Sequence, residues 1–252
     1  MDKNSEKLIE TFKKIANKGW IKGISTSWGN NGLTFEHELG KEPDSKYRPD
    51  FKDIEIKCSS RYSRYPIFLF TIAFDGPNEN EIQRITNKYG YSDPDFPNQK
   101  VMFRKISNVI NKDNKYSFIF YVDRLRRKIF LCIFDNKGNL IEKKSYVKFS
   151  SIKKHLYTKL KKLAYVKASK KKIGAINYYR YYSIYLYYLK DFKTFLKLIE
   201  NGNLEISLIS RISKSGEDRG RYRNKNIEFA IKKDNINLLF DCYAQFNHDI
   251  YY

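Results

Sequence analysis

The feature that most constrains this chain is a run of six residues, Asp53-Ile54-Glu55-Ile56-Lys57-Cys58, in which apolar and charged side chains alternate. An extended strand sorts such a run by face: Ile54 and Ile56 enter a core, while Glu55 and Lys57 project together from the other side. A second apolar run at 66–74 follows a turn-prone stretch at 59–65, so two strands are expected here.

The remaining pattern sets helices beside a sheet. Residues 6–19 read as an amphipathic helix, with Leu8, Ile9, Phe12, Ile15 and Ala16 on one face and Gly19 as its stop. A short helix is expected from Asn31 or Gly32 to Gly40, carrying Phe35 and Leu39, then a loop at 44–49 and one more helix near 79–88. Residues 116–123 and 128–134 form a hairpin joined by the basic turn 124–127, with a third strand at 144–149. Helix resumes at Ser150 or Ser151, and 163–169 reads as a strand. The tyrosine-rich 178–188 reads as mixed strand and loop. Asp191 caps a helix through Glu200, strands follow at 204–212 and 227–232, and a short helix lies near 235–240. No internal repeat is present. The expected class is α/β, with helices flanking a mixed sheet.

Lysine and arginine total 49 against 28 acidic residues, a net charge of +21 with pI near 9.6. Such a surplus attracts polyanions, and nucleic acid is the expected partner, although a composition rich in Lys, Asn, Ile and Tyr inflates it. A membrane partner is not expected, because neither end carries a basic amphipathic segment and the apolar stretches at 67–74 and 129–134 are too short to span. Residues 1–18 lack the apolar region of a signal peptide. Cys58, Cys132 and Cys242 form neither a disulfide framework nor a CxxC knuckle, which fits reduced thiols in the cytoplasm.

The chemistry is expected between Pro49 and Lys57. Asp50, at the mouth of the strand, can reach the face shared by Glu55 and Lys57. Cleaving a phosphodiester calls for a divalent ion that neutralises phosphate charge and acidifies water. Magnesium favours one or two carboxylates and keeps several waters. Asp50 and Glu55 would supply the carboxylates and Ile56 a carbonyl, while Lys57 would orient water and stabilise developing charge. Spacing alone is weak evidence, since Asp/Glu-x-Lys also starts at Asp44, Asp50, Asp113, Asp135, Glu142 and Asp191. Glu36, beside the Phe35/Leu39 stripe, could face the cleft and serve the metal shell or a second ion.

The combination is more specific. Gly29-Asn30-Asn31-Gly32, Thr34-Phe35-Glu36, Leu39-Gly40, Pro49-Asp50-Phe51 and Asp53-Ile54-Glu55-Ile56-Lys57 resemble the MvaI/BcnI restriction endonucleases. Trp20 after Gly19 and the run 66–71 fit the same pattern. MutH, a mismatch-repair nicking enzyme, resembles the chain more distantly in its order of Glu, Asp, Glu and Lys. The likeness is strong over residues 19–72 and returns at 199–202, Ser215-Gly216 and Phe229. It implies a PD-(D/E)xK fold, a single nuclease domain over 1–252 of two intertwined lobes, a catalytic one at about 5–150 and a DNA-recognition one at about 151–252. It also implies a monomer cutting double-stranded DNA with magnesium, one strand at a time, with Glu36, Asp50, Glu55 and Lys57 catalytic. The pattern departs where the family carries His-Asp-His-Gly and this chain has Arg223-Asn224-Lys225-Asn226. It departs again where Ser207-Leu208-Ile209 replaces Asp-x-Arg.

Lys214, Arg219, Arg221, Arg223 and Lys225 crowd one stretch with Gly216 and Gly220, and are candidates for DNA contact. Arg61 and Arg64 would touch the backbone beside the scissile phosphate. The run 170–172 reads as solvated, the seven tyrosines at 178–188 as packing, and His37, His155 and His248 as structural. The function expected is a type II restriction endonuclease with a cognate methyltransferase as genetic neighbour and no obligate protein partner. A MutH-like nicking enzyme and a non-catalytic DNA-binding module are the alternatives.

Overall fold

A computed structural model of the chain describes residues 1–25, 29–41 and 48–248. Most of the expected loop at 44–49, with the Asp44 triplet, lies outside the described residues, as do 26–28. The chain divides into two compact units, each assembled from separate segments. The first holds Met1–Ile67, His155–Lys190 and Ile236–Tyr252, and the second Phe68–Lys154 and Asp191–Asn235. The boundary expected near residue 150 is therefore not where the units divide. Strand Glu55–Ser60 pairs in parallel with Lys162–Ile173, and a parallel pair needs a long crossover between its strands. Residues 155–190 thus return to the sheet that carries Glu55.

In the first unit, the sheet order is Ile21–Lys22, Ile176–Leu189, Lys162–Ile173, Glu55–Ser60, with Phe240–Asn247 also paired to Ile176–Leu189. The tyrosine-rich segment is one continuous strand at the centre of this sheet, not the mixed strand and loop expected. Its aromatic residues fall at both odd and even positions because both faces are partly covered, which erases the polar alternation. Tyr179, Tyr181 and Tyr187 are buried, in keeping with a packing role. The run Lys170–Lys172 belongs to the neighbouring long strand, where Lys171 lies 4.4 Å from the Trp20 ring. Strand Phe240–Asn247 was not expected: it is a largely exposed edge whose Asp, Gln and Asn residues mask the period.

Helix Lys3–Asn17 starts ahead of its apolar stripe because the Asp2 carboxylate accepts the N–H groups of Asn4 and Ser5, each at 3.2 Å. It ends at Gly19, whose φ of +70° suits the left-handed stop. Its residues Leu8, Phe12 and Ile15 pack with Phe35 of helix Asn30–Glu38 against the sheet. The Phe35 ring lies 4.9 Å from Tyr181 and 6.2 Å from Phe12. These three rings fix the helix that carries Glu36.

The second unit contains a five-stranded sheet in the order Ile67–Ile72, Tyr222–Ile231, Leu204–Ile212, Lys100–Lys105, Tyr91–Ser92. A second sheet contains the hairpin Tyr116–Asp123/Lys128–Asp135, with Leu140–Glu142 and Tyr146–Lys148 both paired to its second strand. Phe70, Phe195 and Phe229 pack with centroids 5.0–6.1 Å apart. Strand Lys100–Lys105 escaped the sequence reading because only Val101 and Met102 of its six residues are buried.

Truncating Phe35 removes a fully buried ring from the support of Glu36. Phe35→Ala is expected to cost about 3–5 kcal/mol in urea unfolding. A loss below about 1 kcal/mol would show that the ring cluster does not hold this helix.

Candidate active site

Phe51 and Ile54 exchange both backbone hydrogen bonds, at 2.9 and 2.8 Å, across a turn in which Lys52 takes φ +56°. This turn folds Asp50 back along the strand that follows, and its Oδ2 accepts the Ile56 N–H at 3.0 Å. Beyond the turn, pairing of Glu55 with Leu163 and Lys57 with Tyr165 sets the register. Ile54 and Ile56 lie in the core, as the alternation predicts. Glu55 is only 1% exposed, so the face it shares with Lys57 is covered rather than solvated.

The charges form one cluster. Lys57 Nζ donates to Glu55 Oε1 at 2.6 Å, and Lys159 Nζ lies 3.4 Å from the same oxygen. Lys41 donates to Asp50 Oδ1 and lies 3.5 Å from Glu36, bridging the two carboxylates. Glu36, Asp50, Glu55 and Lys57 thus meet within the first unit, joined by Lys41 and Lys159, which the sequence reading missed. No signal marked either lysine, because one more lysine in this chain carries no information and Lys159 reaches the site only through the parallel pairing.

Burial drives the Glu55 carboxyl up and the charge of Asp50 adds to that, against the pull of Lys57; the net direction is upward. Burial and the Asp50 charge likewise raise Glu36, although Lys41 opposes them. Burial also opposes ionisation of Asp50, but the Lys41 hydrogen bond and the Ile56 N–H outweigh it and hold its carboxyl below the usual range.

One atom separates this site from the other Asp/Glu-x-Lys triplets. Glu55 Oε2 is buried and has no hydrogen-bond partner. Such a group costs about 1–3 kcal/mol, more when charged, unless something binds it. Asp113 is exposed. Asp135 caps a turn and Asp191 a helix. Glu142 is buried, but Arg84, Lys88 and Tyr89 satisfy it. Among the described residues no group of three or more His, Cys, Asp or Glu forms a metal cage. Two carboxylates, one with an unpaired oxygen, suit a hard divalent cation that keeps part of its water shell.

The basic candidates fall in two places. Arg61 follows the strand, its N–H donating to Ala168 O at 2.8 Å and its guanidinium 5.7 Å from the Tyr62 ring; Arg64 is exposed nearby. In the second unit, Lys214 is held by Asp93 and, at 3.0 Å, by Asp95. Lys214 and Arg219 lie 5.1 and 5.4 Å from the Phe96 ring. Arg221 pairs with Asp218 at 3.2 Å. Arg223 and Lys225 are exposed on strand Tyr222–Ile231, and Lys225 falls in a bulge between the pairs Ile209↔Asn226 and Ser210↔Asn224. Ser207, Leu208 and Ile209 are buried in the neighbouring strand.

The model of the MvaI/BcnI restriction endonuclease family matches residues 9–240. Among solved structures, the chain is similar to restriction endonuclease MvaI in complex with its cognate DNA substrate, at TM-score 0.88 and 25% identity, over 96% of this chain and 98% of that one. It is also similar in fold to MvaI in the absence of DNA, at TM-score 0.61 and 23% identity, with the same coverage. No curated protein matches.

The upward direction of Glu55 has a consequence for stability. Folding favours its protonated form, so its contribution is fully present in acid and is lost as pH rises from the ordinary glutamate value through the folded one. Glu55→Gln, which cannot ionise, is expected to melt at a higher temperature than the parent in chelator at neutral pH. The difference should vanish below the ordinary glutamate range. Equal melting temperatures at neutral pH would mean that Lys57 and Lys159 compensate the buried charge completely.

Proposed function

The chain belongs to the MvaI/BcnI restriction endonuclease family, and we propose that it hydrolyses phosphodiester bonds of double-stranded DNA at a short specific site, with magnesium as its ion. The buried Glu55 with its unpaired oxygen, beside Asp50 and Lys57, is the observation that carries this reading. Asp50, Glu55 and the Ile56 carbonyl are the groups that would hold the ion. When bound, it neutralises charge on the phosphate and lowers the pKa of the attacking water.

The chain's own side chains do the rest. Lys57, tethered to Glu55, donates to the attacking water and meets the negative charge that grows on the phosphate. Glu36, whose carboxyl is raised by burial, orients the water shell from the neighbouring helix. Lys41 and Lys159 offset the carboxylates while no phosphate is bound. Arg61 and Arg64 contact the DNA backbone. Arg219, Arg221, Arg223 and Lys225 supply donors for base edges and phosphates. Lys214, already held by two carboxylates, shapes that loop instead.

We read the chain as a monomer that needs no obligate protein partner and works in the cytoplasm, where its three free cysteines are at home. A cognate DNA methyltransferase is its expected genetic neighbour, since host DNA carrying the site must be protected.

Asp50→Ala or Glu55→Ala is expected to abolish plasmid cleavage with magnesium while DNA binding in calcium persists. Lys57→Ala should lose at least about a hundredfold in rate, and Glu36→Gln less. Near-parental turnover of either alanine variant would remove the assignment. Nicking only on addition of a second protein would favour the MutH-like reading.

For sequence reading, Arg223→Ala is expected to cost about 1–3 kcal/mol at one base pair and to relax preference there. Cleavage profiling over a randomised site measures this. A uniform loss at every sequence would reassign Arg223 to phosphate.

A further inference from the structure

The basic turn of the hairpin takes no part in the carboxylate site, and the fold gathers more charge around it. Asp123 fixes the turn by accepting the Arg126 N–H at 2.8 Å and its guanidinium at 3.1 Å. Pairing of Lys128 with Lys148, and of the Phe149 N–H with Arg127 O at 3.0 Å, then brings the start of helix Phe149–Lys159 against the turn. The result is a cleft of about 620 Å³ lined by Arg124, Arg126, Arg127, Lys128, Lys148 and Lys153, all in the second unit.

Part of this charge is already answered. Arg124 pairs with Glu200 and Arg126 with Asp123. Asp75 lies at the rim, accepting the Lys148 N–H at 2.7 Å and the Ser151 hydroxyl at 2.8 Å. Arg127, Lys128, Lys148 and Lys153 make no ion pair with a described carboxylate, although Lys128 Nζ lies 3.7 Å from the Tyr146 ring and Lys153 Nζ 5.0 Å from the Phe192 ring. Four such cations in one concavity repel one another, and an anion held among them would relieve that repulsion.

The lining also says which anion. Phe149, the only aromatic side chain among the described residues that line the cleft, is edge-packed on Phe192 at 5.2 Å and is not free to stack on a base. Leu125, 95% exposed at the tip of the turn, is a single apolar side chain and too little to anchor a lipid surface. Repeated negative charge without a base or an acyl chain is the backbone of duplex DNA. We propose that this cleft binds backbone phosphates of duplex DNA through Arg127, Lys148 and Lys153, independently of sequence. The proposal rests on the reading of the chain as a DNA nuclease, and adds to it a phosphate site sharing no residue with the carboxylates.

The test uses the full chain in calcium with duplex DNA of random sequence, titrated over a range of salt. The combined variant Arg127→Ala, Lys148→Ala, Lys153→Ala is expected to flatten the slope of log affinity against log salt by about 0.9 per phosphate lost, so by about 2–3. Removing equal charge at the exposed Lys112, Lys137 and Lys144 should leave that slope unchanged. In the unaltered protein, DNA should shield Lys148 and Lys153 from amine acetylation and leave Lys137 reactive, a readout that does not depend on the variant folding. Parental DNA binding with an unchanged slope and reactive Lys148 and Lys153 overturns the cleft but spares the nuclease. Equal flattening by the control substitutions overturns it too, reducing the effect to overall field. Shielding of the same lysines by phosphatidylserine vesicles but not by DNA makes it a membrane site and overturns it. Failure of the unaltered protein to bind or cut any duplex would sink both readings.

Discussion

Six residue pairs of parallel ladder, from Glu55↔Leu163 to Ser60↔Ala168, hold the rest of the candidate site in place. They fix the register that sends Ile54 and Ile56 inward, and a slip of one residue would turn Glu55 and Lys57 to the wrong face. They bring Lys159, at the end of the preceding helix, to the same carboxylate as Lys57. The turn at Lys52 then needs only to fold Asp50 back to the Ile56 N–H. Everything chemical in the first unit hangs on a pairing between segments far apart in the chain.

That pairing also creates the tension at the site. Three carboxylates and three ammonium groups are crowded where little water reaches them, and one carboxylate oxygen has no partner. Burying paired charge seldom adds net stability, so the arrangement is costly to a fold that needed only a core. That cost makes sense where the unpaired oxygen and the displaced carboxyl pKa values serve ligand binding. Glu142 is the useful contrast. It is also buried, yet burial is outweighed by Arg84, Lys88 and Tyr89, and its carboxyl is held down to about 2. The same residue type is saturated in one place and left hungry in the other.

The alternation at 53–58 was legible because core and chemistry lie on opposite faces of one strand, so a single period carried both. Helices with a clear stripe or cap, such as Lys3–Asn17 and Phe192–Glu200, were legible for the same reason. Tyrosines, which serve either face, hid the central strand Ile176–Leu189. A left-handed Lys52 carries no sequence mark, since glycine would be the residue to expect there. Lys159 became visible only once long-range pairing was known, Lys41 only once Asp50 and Glu36 were placed beside it, and Lys214 looked available until Asp93 and Asp95 were placed beside it. The bounds of the two units were illegible because both cross back and forth along the chain.

The crossover between the two parallel strands is itself most of a folded unit, and this sets an order on biosynthesis. A ribosome adds about 5–20 residues per second. Strand Glu55–Ser60 leaves the tunnel seconds before Lys162–Ile173, and Phe240–Asn247 follows later still. Throughout that interval Glu55 has no sheet to bury it and Lys159 does not yet exist. A nascent chain therefore carries the residues of the candidate site without the site assembled. Until the second strand arrives the candidate site is not assembled, and translation arrested inside the crossover yields a product without it.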